Sequence, residues 1–169
     1  VSFNSQNTIS DTINSVLHQT YPDIEYIIVD GKSSDNTVNI IESLKDKFNG
    51  RLRFISEPDN GIYDAMNKGI KMATGEIVGL LNSDDIFASN TVIEKIADAF
   101  KTSNAQCVYG NLVIVDKNDI NRVVRESNCG QYKQGSFRRG WHPPHPTFYT
   151  YKKNYDKYGY YRTDFKITA

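Results

Sequence analysis

Hydrophobic and polar residues follow two alternating patterns along the first two thirds of the chain. Short, uninterrupted apolar runs predict strands at Ile24–Val29, Leu52–Ser56 and Ile77–Leu81, and Val1–Phe3 has the character of the last residues of another strand. Between these runs, apolar residues recur every three or four positions, which predicts amphipathic helices. Their predicted inward residues are Ile9, Ile13, Val16 and Leu17; then Val38, Ile41, Leu44 and Phe48; then Ile62, Ala65, Met66, Gly69 and Ala73; and finally Ile93, Ile96, Ala97 and Phe100.

This alternation of strand and helix, repeated four times, predicts an α/β fold with a mostly parallel central sheet flanked by helices on both faces. After about residue 107 the pattern changes. Cys107–Val115 and Arg122–Glu126 predict a hairpin, Thr147–Tyr151 a short strand, and Asn154–Lys157 a helical turn. We therefore expect residues 1–169 to form one domain, with residues 107–169 as a small appended α+β portion.

Composition excludes several classes of protein. The 169 residues are 38% hydrophobic, with 20 basic and 20 acidic side chains, and this balance argues against a nucleic-acid-binding protein. No apolar run is long enough for a membrane span, and the first 20 residues do not resemble a signal peptide. Cys107 and Cys129 form neither a disulfide framework nor a zinc-binding spacing, so we expect a cytoplasmic protein.

The zero net charge conceals an uneven distribution. Residues 1–129 carry 12 basic and 18 acidic side chains, whereas residues 130–169 carry 8 basic side chains and two acidic ones. This last part also holds seven of the 11 tyrosines. The basic end either meets an anionic partner, such as phosphate or a membrane surface, or folds back on the acidic body.

Three polar clusters follow predicted strands, and they carry the candidate chemistry. They are Asn4 after the first strand, Asp30 after the second, and Asn82–Asp85 after Ile77–Leu81. Ligands of open parallel sheets bind outside the carboxyl ends of the strands, so we expect these clusters to meet at one edge.

Asp84 and Asp85 are adjacent carboxylates at the end of a buried strand, where they repel each other unless a cation lies nearby. Oxygen ligands favour Mg²⁺ or Mn²⁺, and such an ion keeps positions that substrate phosphates can fill. Alternatively, the pair caps the helix that follows.

Asp30 precedes a polar loop, and a carboxylate there can bind a ribose or the edge of a base. The chain has neither a G-x-G-x-x-G motif nor a P-loop, which argues against a nicotinamide cofactor and a P-loop NTPase. We expect Asp35 to cap the second helix, and Thr8 with Asp11 to form a capping box on the first.

His142 and His145 lie in a proline-rich segment that fixes the backbone around both rings. Each is a candidate metal ligand, phosphate contact or proton carrier, or else a hydrogen-bonded structural residue. Trp141 is either a stacking platform for a sugar or a packing residue, and His18 is expected to be structural.

Several ordered segments together resemble the family 2 glycosyltransferases, over residues 1 to about 110 and again near residue 145. The segments that carry the resemblance are Asn4, Ser15–Tyr21, Glu25–Gly31, Ser56–Gly69, Ala73–Glu76, Asn82–Asp85 and His142–Tyr149. The resemblance implies a GT-A, Rossmann-like fold and inverting transfer of a sugar from a nucleotide donor, usually linked to UDP. It divides the domain into a nucleotide-sugar-binding half, residues 1–106, and an acceptor-side half, residues 107–169.

The same resemblance implies roles for individual residues. Phe3 would lie against the base, Asp30 would hold the base or ribose, and Asp84 and Asp85 would bind Mn²⁺ or Mg²⁺ on the donor diphosphate. The residues assigned to the nucleotide-sugar are Phe3, Asn4, Asp30, Gly61, Asp64, Asn67, Ser83 and Asp84. The usual DxD motif here reads Asn82-Ser83-Asp84, so an amide replaces one carboxylate.

The catalytic base of this family usually follows a segment like Phe165–Ala169, so we expect it beyond residue 169, in a chain truncated at both ends. Within the chain, His142 and His145 are the weaker candidates. We expect a saccharide or lipid-linked acceptor in bacterial surface polysaccharide synthesis and a location at the inner face of the cell membrane. The alternatives are a sugar nucleotidyltransferase, and a binding module for nucleotide-sugars without turnover.

Overall fold

The computed structural model describes residues 1–165. Its helices are α1 (Ile9–Leu17), α2 (Thr37–Lys45), α3 (Ile62–Met72), α4 (Val92–Thr102) and α5 (Lys152–Tyr158). Its strands are β1 (Tyr26–Asp30), β2 (Leu52–Ser56), β3 (Ile77–Gly79), β4 (Cys107–Val108), β5 (Leu112–Asp116), β6 (Asp119–Ser127) and β7 (Tyr149–Tyr151). All four predicted helices of the first two thirds and the three predicted strands between them are present, within a few residues at each end.

The parallel part of the sheet is formed by β1 and β2, which pair in register from Tyr26 opposite Leu52 to Asp30 opposite Ser56. Ser2 forms a parallel bridge to Asp30 on the other side of β1, so Val1–Phe3 behaves as the predicted strand end. Successive residues of β1 point to opposite faces. Ile28 packs in the core formed with α1 and α2, whereas Val29 lies against α3, which places helices on both faces.

The main core lies between α1, α2 and one face of this parallel pair. It is formed by apolar residues that are nearly or fully shielded from solvent: Ile9, Ile13, Val16, Ile28, Ile41, Leu44, Phe48 and Leu52. Burial of one such side chain contributes about 1.5–3 kcal/mol, so this cluster fixes α1 and α2 against the sheet. The loops that leave β1 and β2 at their carboxyl ends are held in place as a consequence.

The α/β prediction is confirmed, but β3, β7 and β4 form a separate, antiparallel sheet that does not pair with β1 or β2. β7 lies between β3 and β4 and pairs antiparallel with both, with Gly79 opposite Tyr149. A Cβ atom at Gly79 would lie only 2.0 Å from the ring of Tyr149, so this pairing requires glycine. The apolar pattern of a strand does not reveal a partner about 70 residues away, and the pairing was therefore not predicted.

Residues 107–165 supply β4 and β7 to the antiparallel sheet and add a hairpin, β5–β6. The hairpin is confirmed, although Cys107–Val108 pairs with β7 in the antiparallel sheet instead. The capping box was wrong: the hydroxyl of Thr8 lies 3.4 Å from the Ser5 carbonyl and makes no capping bond. Ile62 was also wrongly expected to be inward, since it begins α3 and is 45% exposed. Among residues 1–165 no helix is long and apolar enough to cross a membrane.

Candidate nucleotide-sugar site

The three polar clusters that follow the strands lie together at one edge of the sheet. The hydroxyl of Ser2 donates to Asp30 at 3.1 Å, and the hydroxyls of Ser5 and Ser83 are hydrogen-bonded at 2.7 Å. Beside them, the nitrogen of Val1 donates to the carbonyl of Leu81 at 3.2 Å. Segments that are 28 and 78 residues apart in sequence therefore meet at this edge, as the strand pattern predicted.

Asp30, the last residue of β1, is completely buried, and both of its carboxylate oxygens are saturated. One oxygen accepts from the hydroxyls of Ser2 and Ser33. The other accepts from the backbone N–H of Ser33 at 2.9 Å and the hydroxyl of Ser56 at 2.7 Å. A buried carboxylate needs such partners, and here they join Val1–Phe3, β1, β2 and the loop after β1.

The loop after β1 is fixed by Asn4 and Asp35. Asn4 adopts a left-handed backbone conformation, with a φ of 49°, and its side-chain oxygen accepts from the backbone N–H of Ser34 at 2.9 Å. Its own N–H donates to the hydroxyl of Ser33 at 2.8 Å. Asn36, not Asp35 as expected, is the N-cap residue of α2. Asp35 accepts from the N–H and the hydroxyl of Thr37, the first residue of α2, and against the opposing effect of desolvation these bonds lower the pKa of Asp35. Asn4 therefore shapes the loop.

Phe3 projects from this edge with 63% of its surface exposed, and Asp59 lies beside it. A Cβ atom at Gly31 would lie 3.3 Å from the Phe3 ring and 2.6 Å from a carboxylate oxygen of Asp59. Glycine at this position is what lets the ring and the carboxylate approach each other across the loop. Sequence reasoning missed Asp59, Ser33 and Ser56, although all three follow or end a strand at the same edge.

The turn between β2 and α3 contains Gly61 and Asp64, two of the predicted donor-binding residues. Gly61 has a φ of 107°, which glycine adopts without strain, and its N–H donates to the other oxygen of Asp59 at 2.9 Å. Asp64 accepts from the N–H of Asn60 at 3.0 Å and lies 3.6 Å from the ammonium group of Lys68. Both residues hold the turn that presents Asp59.

Asn67 was also predicted to bind the donor, but its side-chain amide is engaged elsewhere. It donates to the carbonyl of Tyr161 at 2.8 Å and accepts from the N–H of the same residue at 2.9 Å. The rings of Tyr161 and Tyr63 stack with their centres 5.7 Å apart. Asn67 therefore fastens the last described segment onto α3, and a donor contact by this residue stays a prediction.

The carboxylates of Asp84 and Asp85 occupy different environments after β3. Asp84 is exposed and accepts no hydrogen bond from residues 1–165. Asp85 accepts from the side-chain amide of Asn82 at 3.1 Å. Burial, and then the adjacent charge of Asp84, raise the pKa of Asp85 above its ordinary range. The two carboxylates therefore repel each other, as predicted. The N-terminal amine of Val1 interacts electrostatically with both carboxylates and the ring of His145 with Asp85, but burial lowers the pKa of each of these basic groups.

His145 approaches this pair from the appended portion. Its Nε2 atom lies 3.3 Å from the side-chain nitrogen of Asn82, and burial lowers its pKa although the charge of Asp85 opposes this. His142 instead lies near the carbonyl of Pro143. Trp141 is engaged in packing, since its indole nitrogen donates to the carbonyl of Cys129. His18 ends α1, consistent with a structural role.

The chemistry of this edge fits a hard divalent cation. Asp84 offers an unengaged carboxylate, and the side-chain oxygen of Asn82 is buried without a hydrogen-bond partner among the described residues. Residues 1–165 contain no group of three or more His, Cys, Asp or Glu side chains placed to hold a metal ion on their own. Mg²⁺ is commonly bound in proteins by one or two carboxylates together with substrate phosphates, and this donor set matches that arrangement.

A cleft of about 620 Å³ lies between β1 and β3, where the two strands do not pair with each other. Its walls are mostly apolar, from α3, α4 and the two strands, and its polar lining residues include Asn82, Glu25 and Glu76. Asp30, Asp59, Asp84 and Phe3 do not line it. The candidate site is therefore the open sheet edge beyond this cleft.

Comparison with known proteins gives a family and a fold. Residues 1–165 match the model of the family described as Glycosyl transferase family 2. Over 120 residues the chain is 36% identical to the UDP-Glc:alpha-D-GlcNAc-diphosphoundecaprenol beta-1,3-glucosyltransferase WfgD of Escherichia coli. That alignment covers 70% of this chain and 46% of WfgD. The chain thus spans about half the length, or less, of curated relatives that it matches.

Two solved structures share the fold. The chain is similar to residues 1–349 of S. aureus TarS in complex with UDP, with a TM-score of 0.72 and 19% identity over 99% of this chain and 50% of that one. It is also similar to the mannosyltransferase PcManGT of Pyrobaculum calidifontis in complex with GDP-Man and Mn²⁺. There the TM-score is 0.72 and the identity 17%, over 96% of this chain and 46% of that one.

Proposed function

The chain belongs to the Glycosyl transferase family 2, and on that premise we propose that it transfers a sugar from a UDP-sugar to a saccharide or lipid-linked acceptor. The observation that carries this proposal is the meeting of Asp30, Ser83 and the unengaged carboxylate of Asp84 at one open sheet edge. The product would belong to bacterial surface polysaccharide. WfgD, which acts from UDP-Glc on a diphosphoundecaprenol-linked sugar, supports this acceptor class.

In this proposal the nucleotide lies across the loop after β1. The exposed ring of Phe3 stacks on the base, because aromatic rings bind the faces of bases without regard to their edges. The carboxylate of Asp59 stands beside that ring and can accept the N–H of uracil. Asp30 acts as a positioning residue, since its saturated carboxylate orients the loop that carries both contacts.

The donor diphosphate lies over Asn82–Asp85. Asp84 and Asp85 would hold Mn²⁺ or Mg²⁺, and the hydroxyl of Ser83 and the amide of Asn82 lie next to them. The metal ion would supply Lewis-acid stabilisation of the negative charge that develops on the departing UDP. A cation held there would offset the burial and the adjacent charge of Asp84 that raise the pKa of Asp85, and would favour the ionised form of both carboxylates.

Transfer proceeds with inversion. An acceptor hydroxyl oxygen forms a bond to the anomeric carbon on the face opposite UDP while the bond from that carbon to the phosphate oxygen breaks. A base takes the hydroxyl proton, and UDP leaves with the bonding electron pair. Residues 107–165 would supply the acceptor side. Within them, His145 is a candidate base, because it lies beside the site at Asn82 and because burial lowers its pKa, which favours the neutral imidazole that can accept a proton. Lys166–Ala169, after which the family base is expected, lie outside the described residues.

Donor hydrolysis tests this function without knowledge of the acceptor. The chain is incubated with UDP-glucose and UDP-N-acetylglucosamine, with Mn²⁺ or with EDTA, and products are separated by ion-exchange chromatography. Slow, Mn²⁺-dependent release of UDP and free sugar is expected, and Asp84→Ala abolishes it. Release of UMP and sugar phosphate would indicate phosphoanhydride chemistry instead. Binding without any release would indicate a nucleotide-sugar-binding module.

A further inference from the structure

A cluster of four aromatic rings lies on the appended portion, away from the main core. Trp141 is at its centre, with the ring centres of Tyr109, Tyr132 and Phe137 between 5.6 and 5.8 Å away. Phe137 is 60% exposed and Tyr132 is 49% exposed. These two rings therefore expose apolar surface to solvent while their other sides pack on Trp141.

The same segment is basic. Residues 127–155 contain no Asp or Glu and five Lys or Arg side chains. Lys133, Arg138 and Arg139 flank the exposed rings, are exposed themselves, and form no ion pair with any described residue. We call residues 130–141 the aromatic–basic loop. The basic end was expected either to fold back or to meet an anionic partner; Tyr161 folds back onto α3, whereas these three cations remain unpaired.

The β5–β6 hairpin continues this surface. Before β5, the hydroxyl of Tyr109 accepts from the N–H of Tyr132 at 2.6 Å and lies 3.3 Å from the carbonyl of Gly130. The side chain of Asn111, directly before β5, accepts from the N–H of Cys129 at 3.1 Å, so the start of the hairpin is fixed beside the loop. The hairpin strands pack mainly on each other and leave apolar side chains between 44 and 61% exposed. These are Val113, Ile114, Ile120, Val123 and Val124.

We propose that the aromatic–basic loop, with the adjacent hairpin, is a docking surface for an anionic lipid bilayer. Aromatic side chains are enriched at the membrane–water interface, and nearby Lys and Arg are attracted to the negative charge of anionic lipid headgroups. The hairpin carries acidic side chains, of which Asp116 is paired with Arg122. The occupant is a lipid surface rather than a folded partner because the apolar side chains project from a hairpin and a loop, and the cations of the aromatic–basic loop have no acidic counterpart within residues 127–155. This combination matches an apolar layer covered by anionic headgroups.

The position of this surface connects it with the proposed function, on which this part of the inference rests. His142 follows the aromatic–basic loop directly, and His145 reaches Asn82 beside Asp85. A bilayer bound at the loop would therefore lie close to the acceptor side of the site. A lipid-linked acceptor could then reach the donor without leaving the membrane.

Vesicle co-sedimentation with the whole chain tests this docking surface. Vesicles of phosphatidylcholine alone are compared with vesicles of phosphatidylcholine mixed with the anionic lipid phosphatidylglycerol. We expect binding to the anionic vesicles only, weakened by salt. The triple variant Lys133→Gln/Arg138→Gln/Arg139→Gln is expected to lower the partition coefficient on the order of a hundredfold. Phe137→Ala is expected to lower it several-fold at constant charge.

The matched control, Lys47→Gln/Lys95→Gln/Lys101→Gln, makes the same change of charge on α4 and beside α2, and should retain binding. Equal binding of the two triple variants would overturn the proposal, as would failure of the unmodified chain to bind anionic vesicles. So would a dimer in light scattering that Phe137→Ala dissociates, which would make this a contact between copies. UDP titration of each variant separates the two hypotheses: the loop variant should bind UDP normally, whereas loss of UDP binding with intact vesicle binding would refute only the proposed function.

Discussion

Replacement of Asp30 by alanine is expected to destabilise the protein, because this carboxylate organises the site before any ligand binds. It is completely buried and accepts four hydrogen bonds, from Ser2, twice from Ser33, and from Ser56. Removal of the side chain leaves these donors without an acceptor in a buried space. The three hydroxyls can rotate toward other partners, but the backbone N–H of Ser33 is fixed and cannot.

The size of the effect follows from these contacts. An unsatisfied buried donor costs about 1–3 kcal/mol, and each lost hydrogen bond to a charged group costs a similar amount. Partial rearrangement of the hydroxyls reduces the total, so Asp30→Ala should lower the free energy of unfolding by about 3–5 kcal/mol. Asp30→Asn keeps the shape and one acceptor for the Ser33 N–H while the hydroxyls reverse, and should cost about 1 kcal/mol.

Urea unfolding, followed by the fluorescence of Trp141 and by circular dichroism, measures this difference. The matched control is Asp84→Ala, because Asp84 is an exposed carboxylate without a hydrogen bond to any described residue. We expect its stability to stay within about 0.5 kcal/mol of the unmodified protein. If Asp30→Ala also unfolded within that range, Asp30 would not be the positioning residue described above, and its role would be confined to the ligand.

Three further predictions follow from the site. Phe3→Ala should leave stability unchanged and weaken UDP binding about 10-fold or more in calorimetry, since stacking on a base contributes about 1–3 kcal/mol; unchanged affinity would refute the stacking role. Asn67→Ala should lower the free energy of unfolding in urea by about 1–3 kcal/mol, because Tyr161 loses both of its hydrogen bonds to this side chain. The same loss should make the chain more sensitive to trypsin at Arg162. Weaker UDP binding at unchanged stability would favour the donor role of Asn67 instead. Asp85→Asn should stabilise the protein at pH 7 in EDTA. The raised pKa of Asp85 means that its ionisation opposes folding. This penalty is absent at low pH and develops as the pH rises from the pKa of Asp85 in the unfolded state to its pKa in the folded state. Equal thermal midpoints of Asp85→Asn and the unmodified protein at pH 7 would contradict this.

The sequence predicted the helices and strands, and the edge at which the polar clusters after the strands lie together, because both depend on local rules. Apolar runs bounded by polar turns located β1, β2 and β3, and the rule for parallel strands placed Asp30 near Ser83. The antiparallel insertion of β7 depends on a contact with Gly79 about 70 residues away, which no periodicity encodes. Only the close approach of the Tyr149 ring explains why that position is glycine.

Side-chain roles were harder to predict than positions. The acidic character of Asp30 indicated a ligand contact, but it could not show that three serines and a backbone N–H already saturate the carboxylate. Asn67 lies within a recognisable motif, yet its partner is a backbone segment 94 residues further along the chain. Asp59 could have been found, because it follows β2 at the same edge as Asp30.

The central claim is a metal-dependent nucleotide site at the edge formed by Asp30, Asp59 and Asp84. Calorimetric titration with UDP, GDP and CMP, each in Mn²⁺ and then in EDTA, tests it most directly. We predict UDP binding in Mn²⁺ that is lost in EDTA and in Asp84→Ala, and retained when the distant, exposed Asp46 is replaced by alanine. Binding of GDP alone would contradict the uracil assignment. UDP affinity that is unchanged by EDTA and by Asp84→Ala, relative to the unmodified protein in Mn²⁺, would contradict the site itself.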